Sequence, residues 1–179
     1  MSHACIPKGL VRAAARALKA AMQKGLTIVT AESCTAGLIA ASLSTAEGAG
    51  KTLHGSFVTY TKAHKTRALG IPAKLLAREG SVTRRVAADM LRGALRHSPA
   101  DIAVAVTGVL GPEPDEDGNP VGLVFIGCQR RGARPKILKK RYGKRDADQL
   151  RRKTVCDALA LLEDMMGFRP SQRRGEPRP

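Results

Sequence analysis

Two short segments of the chain carry side chains that together could perform nucleophilic catalysis. Ser33 lies in AESCTAG, residues 31–37, and Tyr60 and Lys65 lie in VTYTKAHK, residues 58–65. If the strands that precede these segments are neighbours in a sheet, Tyr60 and Lys65 can converge on the hydroxyl of Ser33. The pattern predicts a serine nucleophile served by a lysine base.

A lysine can take a proton from a serine hydroxyl only when its own amine is neutral. The pKa of a lysine in water is about 10.4, so a base that works near pH 7 needs a pKa lowered by several units. Burial of Lys65, or repulsion from the nearby cations Lys62 and Arg67, would lower it. The chemistry therefore predicts that Lys65 lies in a partly enclosed pocket.

The residues around Ser33 leave two interpretations open. In a turn directly before a helix, the backbone amides of Cys34 and Thr35 would point outward and could hold an oxyanion or a phosphate. The same sequence is a good capping sequence, in which Ser33 and Thr35 simply end the helix. Cys34 is an alternative nucleophile, because a thiol at a helix N-terminus can have a depressed pKa.

Hydrophobic periodicity and turn residues predict the elements that must position these segments. Short apolar or β-branched runs predict strands at 27–31, 54–60, 102–108, 121–127 and 136–142. Helical spacing predicts helices at 10–22, around 38–43, at 62–69 and 73–79, from a Thr83 cap to near Pro99, and from Asp146 or Asp148 to Met166.

Helices and strands alternate along most of the chain, and a short Gly-containing turn joins the last two strands as a hairpin. This order predicts an α/β fold with three layers, α/β/α, around a mixed β-sheet. We expect a single domain over residues 1–168. The remaining residues, 169–179, are rich in Pro and Arg and predict a basic disordered tail.

Composition limits the classes of function. No run of 18 or more apolar residues is present, so we expect no membrane span. The four cysteines are far apart and form no CxxC pair, which favours a reduced, cytoplasmic protein without disulfides. The histidines and cysteines also lack the spacing of a zinc site, and we expect no metal or other cofactor.

The net charge of +16 suits an anionic ligand or nucleic acid. The chain has no Trp, three Phe and two Tyr, which leaves few aromatic surfaces on which bases could stack. The composition therefore weighs against recognition of single-stranded nucleic acid, and the charge itself fits an anionic ligand, nucleic acid or neither.

The segment GAGKT, residues 48–52, looks like the second half of a phosphate-binding P-loop. The complete motif needs a glycine where this chain has Thr45, and it needs a strand before it and a helix after it. The predicted order here is the reverse. The segment is therefore interpreted as a glycine-rich connection between a helix and a strand.

Six blocks of sequence, in their order and separations, carry a family resemblance: AESCTAG, FVTYTKAHKTRALGIP, EGSVTRRVAADM, AVTGVLGP, PVGLVFI and GKRD. They closely resemble the CinA C-terminal domain family, also called nicotinamide-nucleotide amidase, in its stand-alone form. The resemblance implies a homo-oligomeric deamidase that acts without a metal. Its implied reaction converts nicotinamide mononucleotide to nicotinate mononucleotide and ammonia.

The resemblance also implies roles for individual residues. Ser33 would form an acyl-enzyme, Lys65 would activate it, and the hydroxyl of Tyr60 would relay the proton or orient Lys65. Arg145, in GKRD, would bind the substrate phosphate, unless it forms a surface ion pair with a neighbouring Asp. The other implied substrate-binding residues are Glu32, Cys34, Thr35, Gly37, Thr107 and Gly108, with backbone amides near Cys34 and Gly108 facing the developing oxyanion.

Three positions depart from the family pattern. Ala36 stands where the family usually has Gly, which adds a methyl of expected minor effect. Lys62 stands where the family usually has Asn and brings a charge beside the proposed base. The loop after AVTG is long, acidic and rich in proline, whereas the family loop is rich in glycine. These departures concern the choice of substrate more than the type of reaction.

A different class of function remains open at the level of the sequence. The same fold with a decayed site could act through its basic surface as a nucleic-acid-binding or competence-related module. Binding of nucleic acid would weaken steeply with salt, because each phosphate contact releases counterions. An enzyme would instead release ammonia.

Overall fold

The structure is a computed structural model that describes residues 6–167. The predicted tail at 169–179 lies outside the described residues. Within them the chain forms five strands: β1 (Ile28–Glu32), β2 (Leu53–Val58), β3 (Ile102–Gly108), β4 (Leu123–Arg130) and β5 (Lys136–Arg141). The same residues form seven helices: α1 (Lys8–Gln23), α2 (Leu38–Ser44), α3 (Ala49–Thr52), α4 (Lys62–Leu69), α5 (Ala73–Glu79), α6 (Arg84–Arg96) and α7 (Ala147–Met165).

The strands form one mixed sheet in the order β2-β1-β3-β4-β5. Strands β2, β1 and β3 are parallel, whereas β4 pairs antiparallel with β3 and with β5. In register, Glu32 lies beside Val58 on one side and Val106 on the other. The chain therefore leaves three neighbouring strands at one edge of the sheet, which is where ligands bind in open α/β sheets.

Alternate residues of the central strands face opposite layers of helices, as the pleat of a strand requires. Ile28 and Val104 pack with the buried residues of α1, α2 and α7. Val29 and Ala103 pack on the other face with the buried residues of α5 and α6. The predicted three-layer α/β/α fold with a mixed sheet is confirmed, and so is the hairpin of β4 and β5.

Several predicted boundaries shift by a few residues. β2 ends at Val58 rather than at Tyr60. The amide of Thr59 still donates to the Glu32 carbonyl, and then the Thr61 hydroxyl accepts from the His64 amide and caps α4. The GAGKT segment contains the short helix α3 between α2 and β2, so the order found is that of a connection and not of a P-loop.

Two further features bear on the composition arguments. The three cysteines within residues 6–167, namely Cys34, Cys128 and Cys156, are free thiols. No helix in this part of the chain combines the length and the apolar character needed to cross a bilayer.

Helix α4 reaches α6 at a glycine. A Cβ atom built on Gly93 of α6 would overlap the backbone carbonyl of Leu69 and lie 2.8 Å from its Cβ. Leu69 is the last residue of α4 and is itself buried. The absence of a side chain at Gly93 therefore lets the two helices approach closely and sets the position of α4 against the sheet.

We predict that Gly93→Ala lowers the free energy of unfolding by about 1–3 kcal/mol, because the added methyl meets backbone and cannot be accommodated without a helix shift. Gly9→Ala is the matched control, since Gly9 is also helical and a Cβ there would meet nothing within 4 Å. The control should leave stability unchanged or raise it by up to about 1 kcal/mol. Urea unfolding of both variants measures this, and equal effects would contradict the packing argument.

Candidate active site

Ser33 and Lys65 lie in direct contact at the edge of the sheet where β1 and β2 end. The Nζ of Lys65 lies 2.9 Å from the Oγ of Ser33. Ser33 follows β1, its amide donates to the Val106 carbonyl of β3, and Lys65 lies in the first turn of α4. Both side chains are shielded from water, with exposed fractions of 7% for Ser33 and 1% for Lys65.

Two backbone carbonyls fix the direction of the lysine amine. Nζ of Lys65 donates to the carbonyl of Thr59 at 2.8 Å and to that of Tyr60 at 3.1 Å. A neutral amine has two N–H groups and one lone pair. When Thr59 and Tyr60 accept both N–H groups, the lone pair faces the hydroxyl of Ser33. The arrangement can therefore receive the Ser33 proton along a hydrogen bond that already exists.

Burial lowers the pKa of Lys65 to about 8, while the nearby Cys34 thiol acts in the opposite direction. The sequence analysis named two causes that could lower this pKa, burial and repulsion from Lys62 and Arg67, and of these only burial acts here. Lys62 points to the acidic loop, where it contacts Glu116 and Asp117, and Arg67 is exposed. A useful fraction of Lys65 is thus neutral near physiological pH.

Tyr60 contributes its main-chain carbonyl to the contact between Ser33 and Lys65. The side chain of Tyr60 is largely exposed, and the residue lines the same cavity as Ser33. Because Lys65 touches Ser33 directly, no hydroxyl is needed to relay the proton between them. The expected orienting role falls to the carbonyl of Tyr60.

The turn after β1 is organised by the buried carboxylate of Glu32. Its oxygens accept from the Thr35 hydroxyl at 2.7 Å and from the amides of Gly37, Ile39 and Ala40 at 3.0, 3.1 and 2.9 Å. These amides belong to the start of α2, which carries partial positive charge and otherwise lacks acceptors. Glu32 therefore caps the helix from within the sheet.

This arrangement corrects the prediction for the residues around Ser33. The helix does not begin directly after Ser33, because α2 starts at Leu38. Neither Ser33 nor Thr35 caps it, and the Thr35 hydroxyl is committed to Glu32. Glu32, Thr35 and Gly37 hold the turn in shape; Thr35 and Gly37 line a neighbouring cavity and not the one that contains Ser33.

Cys34 is a poor alternative nucleophile in this environment. Its thiol is buried, and burial raises its pKa to about 12. The thiol therefore stays protonated at physiological pH, whereas the thiolate is the reactive form. The depressed pKa expected at a helix N-terminus is absent, because burial outweighs the other influences on the thiol and α2 starts only at Leu38.

A cavity of about 260 Å³ opens in front of Ser33. Thr107 shapes it indirectly: its hydroxyl donates to the carbonyl of Ser81 at 2.8 Å and so ties β3 to the segment before α6. At Gly108 a Cβ would lie 2.7 Å from Val124 Cγ2, so this position needs glycine. The lining includes Ser33, Cys34, Tyr60, Gly108, Glu113 and Arg151.

The arginine at this cavity is Arg151 and not the predicted Arg145. Arg145 is exposed, and its Nε donates to the backbone carbonyl of Tyr142. Arg151, on α7, lines both the Ser33 cavity and an adjacent one of about 500 Å³. Its NH1 donates to Asp148 at 2.9 Å, while its Nε is buried and lacks a hydrogen-bond partner among the described residues.

Sequence reasoning missed Arg151 and the carboxylates of Glu113 and Asp115, which line the same cavity. The signal for Arg151 was its place near the start of the last helix, three residues after Asp148. Within residues 6–167, the His, Cys, Asp and Glu side chains form no cluster of three or more that could hold a metal ion.

A family model described as the CinA C-terminal domain matches residues 11–166. The chain belongs to the CinA C-terminal domain family. The CinA-like protein of Geobacter sulfurreducens is 40% identical over 140 residues, which cover 78% of this chain and 33% of that protein. The CinA-like protein of Mycobacterium sp. (strain JLS) is 39% identical over 143 residues, with 80% and 34% covered. The chain thus spans about a third of the length of these relatives.

Solved structures agree with this assignment. The competence/damage inducible protein CihA from Agrobacterium tumefaciens superposes with a TM-score of 0.85 at 36% identity, covering 93% of this chain and 99% of that one. The CinA superfamily protein ECK1530/EC0983 from Escherichia coli gives 0.83 at 31% identity, covering 87% and 90%. The predicted family is confirmed.

Ala36, which stands where the CinA pattern usually has Gly, carries backbone strain. Its φ is +52°, in the left-handed region that favours glycine. The added methyl is therefore more than a minor change, contrary to expectation. The strain lies in the turn that connects Ser33 to α2, where the hydrogen bonds to Glu32 hold the conformation.

We predict that Ala36→Gly stabilises the fold by about 0.5–1 kcal/mol, because relief of the left-handed strain exceeds the entropy that glycine gains in the unfolded chain. Ala41→Gly, an exposed position within α2, is the control and should destabilise by about 1 kcal/mol. Chemical denaturation measures both. Destabilisation by both substitutions would show that the turn is not strained.

We predict a stability gain with rising pH that depends on Lys65. Its pKa is about 8 in the folded chain and 10.5 in the reference state. Between these values the unfolded chain binds more protons, so the free energy of unfolding rises with pH by a total of about 3 kcal/mol. Well below pH 8 both states are protonated, and Lys65 contributes no slope.

Urea unfolding at pH 7.5 and pH 10.5 tests this for the unmodified chain and for Lys65→Met. The variant should lose most of the gain, whereas Lys74→Met, which removes an exposed lysine of α5, should keep it. An unaltered pH slope in Lys65→Met would contradict the burial of an amine with a lowered pKa.

Proposed function

We propose that this chain hydrolyses the carboxamide of nicotinamide mononucleotide, giving nicotinate mononucleotide and ammonia. The observation that carries the proposal is the buried 2.9 Å contact between Lys65 Nζ and Ser33 Oγ beside an open cavity. A neutral lysine aimed at a serine hydroxyl is the arrangement that activates a weak nucleophile for acyl transfer. The family resemblance in the residues around both side chains supports an amide of this substrate class.

In the first half of the reaction, Ser33 Oγ attacks the carboxamide carbon while Lys65 takes the hydroxyl proton. The carbonyl oxygen becomes an oxyanion, for which the amide of Cys34, directly after the nucleophile, is the candidate donor. The amides of Ser33 and Val109 already donate to Val106 and Leu123. The Lys65 ammonium then protonates the nitrogen, the C–N bond breaks, and ammonia leaves an acyl-serine.

In the second half, the neutral Lys65 removes a proton from a water molecule that attacks the ester carbon. The tetrahedral intermediate collapses, the C–O bond to Ser33 breaks, and Lys65 returns the proton to Ser33 Oγ. The carboxylic acid so formed loses its proton to solvent, and nicotinate mononucleotide leaves as the carboxylate. The same amine thus serves twice, as base and then as acid in each half-reaction.

The cation near the cavity suits the anionic end of such a substrate. Arg151 presents a guanidinium to both adjoining cavities, and its buried Nε has no acceptor within the described chain. A phosphate supplies the acceptors that a guanidinium fork matches. We therefore assign substrate phosphate to Arg151 in place of Arg145.

The alternative of a decayed, nucleic-acid-binding module requires that the site has lost its chemistry. Lys65 and Ser33 remain paired, and burial gives Lys65 the lowered pKa that a base near physiological pH needs. These features favour the enzyme.

We expect the purified protein to release ammonia from nicotinamide mononucleotide, and expect Ser33→Ala and Lys65→Ala each to reduce the rate by at least about 10³-fold. Cys34→Ser should retain activity, since a buried protonated thiol plays no part. A coupled ammonia assay measures all four proteins. Loss of activity in Cys34→Ser with retention in Ser33→Ala would assign the nucleophile to the cysteine.

The same assay run from pH 6 to pH 10 should show kcat/KM rising with pH and levelling off above about 8, where Lys65 is neutral. A value of kcat/KM that falls from pH 6 to pH 10 would contradict the assignment of Lys65 as the base.

A further inference from the structure

Two departures from the CinA pattern meet in space. Nζ of Lys62 lies 2.7 Å from Oδ1 of Asp117 and 2.8 Å from Oε1 of Glu116 in the acidic loop. Lys62 donates hydrogen bonds to Asp117 and to Glu116, and these bonds raise the pKa of Lys62, so the side chain stays charged. The lysine that replaces the usual Asn therefore pairs with carboxylates that the usual glycine-rich loop does not carry.

Asp117 also joins the loop to the segment before α6. Its Oδ2 accepts from the amide of Ser81 at 3.2 Å, and a Cβ on Gly80 would lie 2.6 Å from that oxygen. Ser81 is in turn held by Thr107 and lines the Ser33 cavity. We call the contacts of Asp117 with Lys62 and Ser81 the loop clamp. The loop clamp fixes the acidic loop against two elements that border the site.

The two loop carboxylates at the cavity have different roles. Asp115 accepts from the amides of Asp117 and Asn119 at 3.1 and 2.8 Å and from Asn119 Nδ2 at 2.9 Å, so it folds the loop itself. Glu113 lines the cavity and makes no hydrogen bond or ion pair within residues 6–167. Its negative charge is therefore available to a ligand.

Resting on the proposed function, we propose that Glu113, placed in the cavity wall by the loop clamp, recognises positive charge on the ring that carries the amide. A nicotinamide ring joined to ribose is a quaternary pyridinium cation. Its reduced, dihydropyridine form has the same ribose and phosphate and nearly the same size but is neutral. The site would thus favour amides on cationic rings through Glu113, while Arg151 binds the phosphate common to both.

The test compares binding of nicotinamide mononucleotide and its reduced form by calorimetry, in a Ser33→Ala background that prevents turnover. Glu113→Gln should weaken binding of the cationic form by about threefold to tenfold, as expected for charges a few ångströms apart in a partly solvated site, and leave the reduced form unchanged. Glu47→Gln, a carboxylate that does not line the cavity, should change neither.

Equal weakening of both forms by Glu113→Gln, or weakening of neither, would overturn the recognition of ring charge, as would failure of the parent to bind the cationic form. This readout is independent of turnover. If the cationic form binds and responds to Glu113→Gln while the unmodified enzyme releases no ammonia, the proposed reaction fails and the recognition stands.

Charge reversal tests the loop clamp in the same background. Lys62→Glu and Asp117→Lys should each lower the preference for the cationic form, and the double variant, which has the original net charge, should recover part of it, because it restores the ion pair between positions 62 and 117 but not the acceptor for the Ser81 amide. If the potential alone mattered, Lys62→Glu would raise the preference and Asp117→Lys would lower it. That opposite-sign result, or a double variant no better than the singles, would overturn placement by the clamp.

Discussion

The amine of Lys65 is useful as a base because it is buried away from water and its hydrogen-bond acceptors are uncharged backbone carbonyls. Two carbonyls from residues 59 and 60 direct its protons, and no carboxylate pairs with it within the described chain. An ion pair would raise its pKa and remove the base; carbonyl dipoles orient the amine while burial lowers the pKa. The end of β2, the Thr61 cap of α4 and the close contact at Gly93 all serve this one placement.

Glu32, close to Lys65, is a buried acidic side chain whose carboxylate is stabilised by hydrogen bonds. A carboxylate buried at the end of β1 would be costly alone, yet it accepts three backbone amides and the Thr35 hydroxyl at the start of α2. These bonds commit the helix amides to a structural anion and stiffen the turn that carries Ser33. The strained backbone of Ala36 is held by the same bonds. The nucleophile therefore lies on a turn held by these hydrogen bonds, and the amides that donate to Glu32 are not available to another anion.

Hydrophobic periodicity was sufficient to predict the order of the elements and the layers they form. Parallel strands ending at one edge bring residues 33 and 65 together, and this convergence needed only the correct order of elements. The functional side chains within that frame were harder to predict. Whether Tyr60 offers its phenol or its carbonyl depends on where β2 ends to within two residues. Whether Arg145 or Arg151 faces the cavity depends on the rotation of α7 and on the path of the loop before it, which no local pattern specifies.

The charge distribution illustrates why single substitutions near such a site are hard to interpret one at a time. A lysine at position 62 would oppose a cationic ligand and raise the cost of a protonated Lys65 if it were unpaired. Paired with Glu116 and Asp117, it belongs to a group of side chains with a net negative charge, so it no longer adds positive charge beside the site.

The chain as a whole carries a charge of +16, and that long-range field attracts anions such as nucleotide phosphates. Close to the cavity, the carboxylate of Glu113 and the guanidinium of Arg151 present opposite signs. A ligand with both charges would be drawn in by the first field and oriented by the second, which a uniformly basic surface could not do.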